Sequence, residues 1–72
     1  MLYKLRMERQ KHKMTQQDMA NLLHISRSSY SDKEVGRQHF RHDEMVIIAR
    51  EFNVTLNDIF WEDEELDKEI YV

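Results

Sequence analysis

The chain contains no cysteine, no proline and only one glycine among its 72 residues. The lack of cysteine excludes a disulfide framework and zinc sites built on thiolates. Proline and glycine are the residues that most often stop helices and form tight turns, so their scarcity favours an all-helical chain. A chain this short makes one small domain. Such a domain buries only about 60% of its unfolded surface, so it depends on good helix packing or on a partner.

Long apolar runs are also missing. The longest uninterrupted one, residues 45–49, is far shorter than the roughly 20 residues that a transmembrane helix needs. Charged side chains at Lys4, Arg6, Glu8 and Arg9 interrupt the N-terminal stretch, so no signal peptide is expected. We therefore expect a soluble, cytoplasmic protein that does not associate with membranes.

Charge is distributed unevenly along the chain, whose formal net charge is −3. Residues 1–50 carry ten lysines and arginines against six acidic residues, whereas residues 51–72 carry one lysine against eight acidic residues. A protein that binds nucleic acid needs a basic face and not a basic total, so the negative sum does not exclude this class. We divide the chain into a domain at residues 1–61 and an acidic C-terminal tail at residues 62–72.

Capping residues and apolar spacing predict five helices, at about 3–12, from Thr15, at 26–35, at about 42–52 and at about 55–61. Thr15 can cap the second helix, with Asp18 three residues on resembling a capping-box partner. Ser26 begins the third helix, and Gly36 ends it. The apolar residues at helical spacing, which we expect to form the core, are Leu5, Met19, Ala20, Leu23, Met45, Ile48, Ala49, Phe52, Leu56, Ile59 and Phe60.

The second and third helices begin only eleven residues apart, and the break around His24 and Ile25 leaves room for a tight turn. Two short helices joined in this way form a helix-turn-helix, whose second helix can enter the major groove of DNA. From about Leu5 to Phe60 the chain resembles the phage-repressor-like (Cro/C1, or XRE) family of transcriptional regulators. The residues that carry the resemblance are Thr15, Gln16, Met19, Ala20, Ile25, Ser26, Arg27, Tyr30, Glu34 and Gly36.

The resemblance implies a compact, five-helix, lambda-repressor-like fold and a helix-turn-helix domain at residues 1–61. It also implies a sequence-specific regulator of double-stranded DNA, acting as a repressor, that uses no cofactor. Because one such domain makes few contacts, we expect a homodimer on a pseudo-palindromic site. The exposed apolar groups that would form its interface are Val46, Ile47, Trp61, Leu66, Ile70, Tyr71 and Val72.

The resemblance places Gln16 and Arg37 against the DNA backbone, and Arg41 and His42 continue the loop of Arg37, from which they could approach the minor groove. Each has an ordinary alternative, since an exposed helix former or a plain basic loop would look the same in sequence. Ser26 is first a helix cap, although its hydroxyl can also donate to a phosphate.

Base edges are the expected contacts of the third helix. Arg27 at its start can offer two N–H donors to guanine O6 and N7, although a phosphate contact or a solvated charge remains an alternative. Ser28 and Ser29 are short enough to permit close approach or a water-mediated contact. Asp32 can accept from cytosine N4, but as a carboxylate it would also repel phosphate, and a solvated side chain is equally consistent.

In the family resembled here, the residues that match Arg9 and Glu34 form a partly buried ion pair. The alternative is two separate surface charges. Tyr30 is expected in the core, holding the two helices at their angle. His24 replaces the usual glycine at a position that often needs positive φ, which histidine tolerates. Lys33 replaces a buried apolar residue, and its stem can cover apolar surface while its ammonium group reaches water.

No catalytic constellation is present, because no histidine is placed to activate the serines, so the chain is not expected to be an enzyme. His39 and His42 lack further ligands for a metal site. Two alternative functions remain from other classes. One is an antitoxin whose main partner is a toxin protein, and the other is a protein-interaction module that has lost DNA binding. Lys33, Val35 at a position that is usually polar, and the acidic tail are consistent with the second alternative.

Overall fold

Five α-helices make up most of the computed structural model, which describes residues 1–61. They are α1 (Tyr3–Lys11), α2 (Gln16–Leu23), α3 (Arg27–Val35), α4 (His42–Phe52) and α5 (Leu56–Phe60). This part of the chain contains no strand, so the all-helical, five-helix fold is confirmed. None of its helices has the length and apolar character needed to cross a membrane. The tail at 62–72 and its apolar residues lie outside the described residues.

Local hydrogen bonds explain where the helices begin. Thr15 Oγ1 accepts the N–H of Asp18 at 3.0 Å, and the Asp18 carboxylate accepts the N–H of Thr15 at 2.8 Å. Thr55 and Asp58 form the same reciprocal pair at the start of α5. These backbone and side-chain hydrogen bonds lower the pKa of both aspartates, because they stabilise the charged form. The predicted capping role of Thr15 is therefore confirmed, and Thr55 caps α5 in the same way.

The ends of α2 and α3 need left-handed backbone. His24 follows α2 with a φ of 58°, as predicted for a histidine in place of glycine, and Gly36 ends α3 with a φ of 98°. A left-handed residue reverses the chain within a few residues, since it redirects the next N–H groups toward the last carbonyls of the helix. Here the N–H of Ile25 donates to the Ala20 carbonyl at 3.0 Å. The turn therefore folds α3 back against α2, with which it packs.

The buried core contains nine of the eleven apolar residues listed as expected, together with Tyr30. Met45 and Leu56 were also expected there, but both are only partly buried. They lie in the first turns of α4 and α5, at the edge of the core. The later turns of both helices supply buried residues. The fully buried Tyr30 joins α3 to this core, since its ring meets Phe40 edge to face, with 6.0 Å between the ring centroids.

Lys33 departs from its predicted placement. Its ammonium group does not reach water but donates to Glu44 Oε1 at 2.6 Å, and both side chains are buried. The same oxygen accepts the N–H of Arg41 at 2.9 Å, which caps α4. The ammonium nitrogen also lies 5.9 Å from the centroid of the Phe40 ring. A buried ion pair therefore replaces apolar packing under α3, because Glu44 is within reach and water is not.

Because Lys33 and Glu44 are paired and buried, we predict that a double variant at these positions is more stable than one of its single variants. Lys33→Met fits the apolar site but leaves a buried carboxylate without its counter-ion, so it should lower the free energy of unfolding by about 3 kcal/mol. Adding Glu44→Gln removes that charge and keeps an oxygen that can cap α4. The double variant should therefore be more stable than Lys33→Met alone in urea unfolding, with Glu44→Gln as the control. A Lys33→Met variant as stable as the parent would contradict this interpretation.

Candidate nucleic-acid interface

A buried carboxylate joins the first three helices. Glu34, in the last turn of α3, is 1% exposed. Arg9 of α1 donates from Nε to Glu34 Oε2 at 2.9 Å and from Nη2 to Oε1 at 3.2 Å. Tyr30 donates its hydroxyl to Oε2 at 2.6 Å, and Gln16 of α2 donates from Nε2 to Oε1 at 3.3 Å. Each oxygen thus accepts two hydrogen bonds, which satisfies a carboxylate held away from water.

These hydrogen bonds outweigh the cost of burial for Glu34. Burial alone raises the pKa of a carboxyl group, but the donors Arg9, Tyr30 and Gln16 hold the pKa of Glu34 below its ordinary value. For Tyr30 the burial and the hydrogen bond to Glu34 act together, and both raise the pKa of the phenol. Glu34 is therefore a carboxylate and Tyr30 a neutral donor at neutral pH.

Gln16 is held in place by this carboxylate. Arg9 also donates from Nη1 to the Met14 carbonyl at 2.8 Å, so the ion pair fixes the loop that leads into α2. Gln16, the first residue of α2, is half-buried, with its amide nitrogen directed to Glu34. It is therefore not the freely exposed helix former of the alternative interpretation. The amide has one further N–H and its oxygen available for a ligand.

The start of α3 presents a short polar surface. Ser26 Oγ accepts the N–H of Ser29 at 3.1 Å, which confirms its role as the cap of the helix. Ser28 Oγ lies 3.3 Å from the same oxygen and is exposed. Ser29 is half-buried, so it is less available for contact than Ser28. Arg27 is exposed and precedes both.

Arg27 differs from the other charged residues of α3. Lys33 and Glu34 are buried in ion pairs, and Asp32 pairs with Arg37. Within residues 1–61, the Arg27 guanidinium has no hydrogen bond or ion pair. Its donors are therefore available to an incoming ligand without the loss of an internal contact.

The two arginines that follow α3 each have a carboxylate partner. Arg37 Nη1 lies 3.2 Å from Asp32 Oδ1, with 78% of the Arg37 side chain and 33% of the Asp32 side chain exposed. Arg41 binds Asp43 in a fork, through Nε at 3.2 Å and Nη2 at 2.7 Å. The hydrogen bonds from Arg41 lower the pKa of Asp43. Exposed pairs of this kind are weak and can exchange for a phosphate.

The structure thus brings together some of the expected site residues and separates others. Ser26, Ser28 and Ser29 cluster at the start of α3, while Asp32 and Arg37 meet at its end. Gln16 reaches the end of α3 through Glu34, whereas Arg41 contacts its own neighbour Asp43. Sequence interpretation missed the partners of Lys33, Asp32 and Arg41. Two of these pairs had a signal in the sequence, because Asp32 lies five positions before Arg37 and Asp43 lies two positions after Arg41.

Histidines do not form a metal centre in this part of the molecule. His39 and His42 are exposed, and residues 1–61 contain no group of three histidine, cysteine or acidic side chains that could hold a metal ion.

The Arg9–Glu34 pair predicts strong coupling between two residues 25 positions apart. Either single change to alanine leaves a buried charge without its partner and should lower the free energy of unfolding by about 3 kcal/mol. The double variant should lose less than the two single losses combined. The exposed Arg41–Asp43 pair is the matched control, for which the single losses should be small and nearly additive. Small, additive losses at Arg9 and Glu34 in urea unfolding would contradict the coupling.

The comparisons with known proteins agree with this geometry. A helix-turn-helix family model matches residues 5–59, which include all of α2 and α3 and most of the other helices. A comparison with curated proteins found no match. The matched range covers more than half of the chain and contains the capped start of α3, the turn at His24 and the Glu34 network. The chain therefore belongs to the Cro/C1-type (XRE) helix-turn-helix family of DNA-binding transcriptional regulators.

Proposed function

We propose that this protein is a sequence-specific regulator that binds double-stranded DNA as a homodimer and acts as a repressor. The observation that carries the proposal is the start of α3, where the exposed Arg27 has no partner within residues 1–61 beside the exposed hydroxyl of Ser28. A capped, exposed helix with a free guanidinium is suited to the major groove, where guanine offers two acceptors.

The buried Glu34 network supports a rigid arrangement of this surface. It links Arg9 of α1, Gln16 of α2 and Tyr30 of α3 to one carboxylate. A contact to DNA is effective only if its donors keep their spacing, because disorder in them must be paid for on binding. Gln16 would donate its remaining N–H to a phosphate, while Arg27 and Ser28 contact bases. Phosphate contacts position the domain, and base contacts select the sequence.

Electrostatics favour the same assignment. Residues 1–61 carry ten basic and eight acidic side chains, a formal charge of +2, although the whole chain is at −3. Four of these charges, at Arg9, Glu34, Lys33 and Glu44, are buried in pairs. Arg27 on α3 and Arg37 and Arg41 in the loop after it are exposed and would attract DNA, whereas the six acidic residues and one lysine of residues 62–72 would repel it.

A homodimer would supply the second half-site. Ile47 on α4 is 39% exposed and Trp61 after α5 is 45% exposed, while Val46 is half-buried. Large apolar side chains on the surface favour an interface over solvent exposure. A two-fold dimer would place two copies of α3 about one helical turn of DNA apart. Such a dimer represses by occupying a site that transcription needs, which requires no further surface.

The placement of Lys33 bears on the alternative of an interaction module that has lost DNA binding. That alternative drew on Lys33 as a replacement for the buried apolar residue that is usual at this position. In the structure Lys33 is paired with Glu44 beneath an intact helix, so this argument against DNA binding is removed. The antitoxin alternative involves DNA binding as well and differs in having a toxin as its main partner.

DNA binding can be dissected by residue, once preferred sites have been selected from random double-stranded DNA. Arg27→Ala should relax the preference at one base pair and weaken binding to the selected site by about 1–3 kcal/mol. Gln16→Ala should weaken binding to selected and scrambled DNA alike, with no change in salt dependence, since a neutral amide displaces no counter-ion.

The measurement is a salt series by fluorescence anisotropy on both DNAs. Arg50→Ala is the matched control for Arg27→Ala, because it removes an exposed arginine from α4 instead of α3. It should leave the ratio of selected to scrambled affinity unchanged. An unchanged ratio for Arg27→Ala would show that α3 does not select bases through this residue.

Dimerisation is tested separately by sedimentation equilibrium. The parent should sediment as a dimer at high concentration, and Ile47→Glu should shift it toward monomer because a charge would be buried at the interface. Met7→Glu is the matched control, since Met7 is 67% exposed on α1 and is not among the residues proposed for the interface. A parent that stays monomeric at high concentration, with and without DNA, would contradict the dimer.

A further inference from the structure

The contact between Asp32 and Arg37 lies across the end of α3. Asp32 is in the second turn of α3, and Arg37 is the first residue after Gly36. The Asp32 carbonyl accepts the N–H groups of Gly36 at 3.1 Å, Arg37 at 2.8 Å and Gln38 at 3.2 Å. These bonds bring the Arg37 backbone close to Asp32, and its guanidinium then lies 3.2 Å from the Asp32 carboxylate.

Asp32 also belongs to the exposed face of α3. It follows Ser28 by four residues, so the two side chains lie one above the other on the same side of the helix. One third of the Asp32 side chain remains exposed even with Arg37 against it. The carboxylate is therefore shared between the surface that would meet base edges and the arginine that would meet the backbone.

On the basis of the proposed function, we infer that Asp32 is a specificity-determining residue that controls whether Arg37 reaches a phosphate. In free protein the two charges neutralise each other. In solution, water would hydrate a released Asp32 carboxylate, because one third of this side chain is exposed. Once DNA covers this surface and excludes that water, Arg37 can leave Asp32 for a phosphate at little cost only if Asp32 gains another donor. In the major groove that donor is the amino group of cytosine or adenine, whereas guanine and thymine offer acceptors at the corresponding positions.

The exchange makes one contact conditional on the other. Opposite an amino group, Asp32 changes its partner from Arg37 to the base, and Arg37 changes its partner from Asp32 to a phosphate. Opposite guanine O6 or thymine O4, the carboxylate would face another acceptor, so it keeps Arg37 and the phosphate contact is lost. A backbone contact, which carries no sequence information by itself, thereby becomes dependent on sequence.

Salt dependence distinguishes this coupling from two independent contacts. The salt slope is the magnitude of the slope of log K for DNA binding against the logarithm of the salt concentration. In the parent, Arg37→Ala should lower this slope by about 0.9 on the selected site and by much less on scrambled DNA. In an Asp32→Asn background the same change should lower the slope by about 0.9 on both DNAs, because the neutral amide no longer retains Arg37. Asp32→Asn alone should raise affinity for scrambled DNA by about two- to fivefold, the range of an exposed ion pair.

Asp43→Asn is the matched control, since it releases the exposed Arg41 from a pair that does not involve α3. It should leave the ratio of selected to scrambled affinity unchanged, whereas Asp32→Asn should lower that ratio and alter the preference at one base pair. Thermal unfolding followed by circular dichroism checks that each variant is folded. All four of these side chains are partly or fully exposed, so the variants should retain the fold.

The outcomes separate the inference from the function on which it rests. If Arg37→Ala lowers the slope equally on both DNAs in the parent, Asp32 does not retain Arg37 and the inference is overturned while DNA binding stands. An unchanged base preference in Asp32→Asn would overturn it as well. If the parent binds neither DNA at low salt, the proposed function fails and the inference with it.

Discussion

The arrangement of the helix-turn-helix depends on one buried carboxylate. A negative charge that is 1% exposed is tolerated only if donors surround it, and the donors of Glu34 come from three different helices. Apolar packing can tolerate small slips between helices, but a saturated carboxylate has few equivalent arrangements. Arg9, Gln16 and Tyr30 must therefore stand where they do. The arrangement of α2 and α3, and with it the position of the candidate interface at the start of α3, follows from that requirement.

The charged residues of α3 divide into two groups with different physical roles. Lys33 and Glu34 face inward and are paired, so they hold the helix on the core and contribute little attraction for DNA. Arg27 and Asp32 face outward, and of these Asp32 is partly neutralised by Arg37. If α3 is the recognition helix, as proposed, a surface with so little unpaired charge would attract DNA only weakly without regard to sequence. Discrimination would then depend on hydrogen bonds in the groove more than on net charge.

Much of the fold could be predicted from the sequence because its signals are local. Thr15 and Asp18 are three residues apart, and their reciprocal hydrogen bonds need only the backbone between them. The left-handed turns at His24 and Gly36 are also local, because glycine, and to a lesser degree histidine, tolerates a positive φ. Helical spacing of apolar residues predicted most of the core. The exceptions, Met45 and Leu56, lie in first turns, where burial depends on neighbouring elements that periodicity does not describe.

By itself, then, the sequence determined the all-helical class, the helix limits, the turn between α2 and α3 and, through family resemblance, the candidate residues of the interface. Only the tertiary structure decided the partners of the long polar side chains. Lys33 could extend to water or to any nearby carboxylate, and it meets Glu44 because the loop after α3 brings the start of α4 beneath it. Likewise Arg37 meets Asp32 because the left-handed Gly36 turns the chain back. Flexible side chains have many rotamers, and the choice among them is made by residues that are close in space.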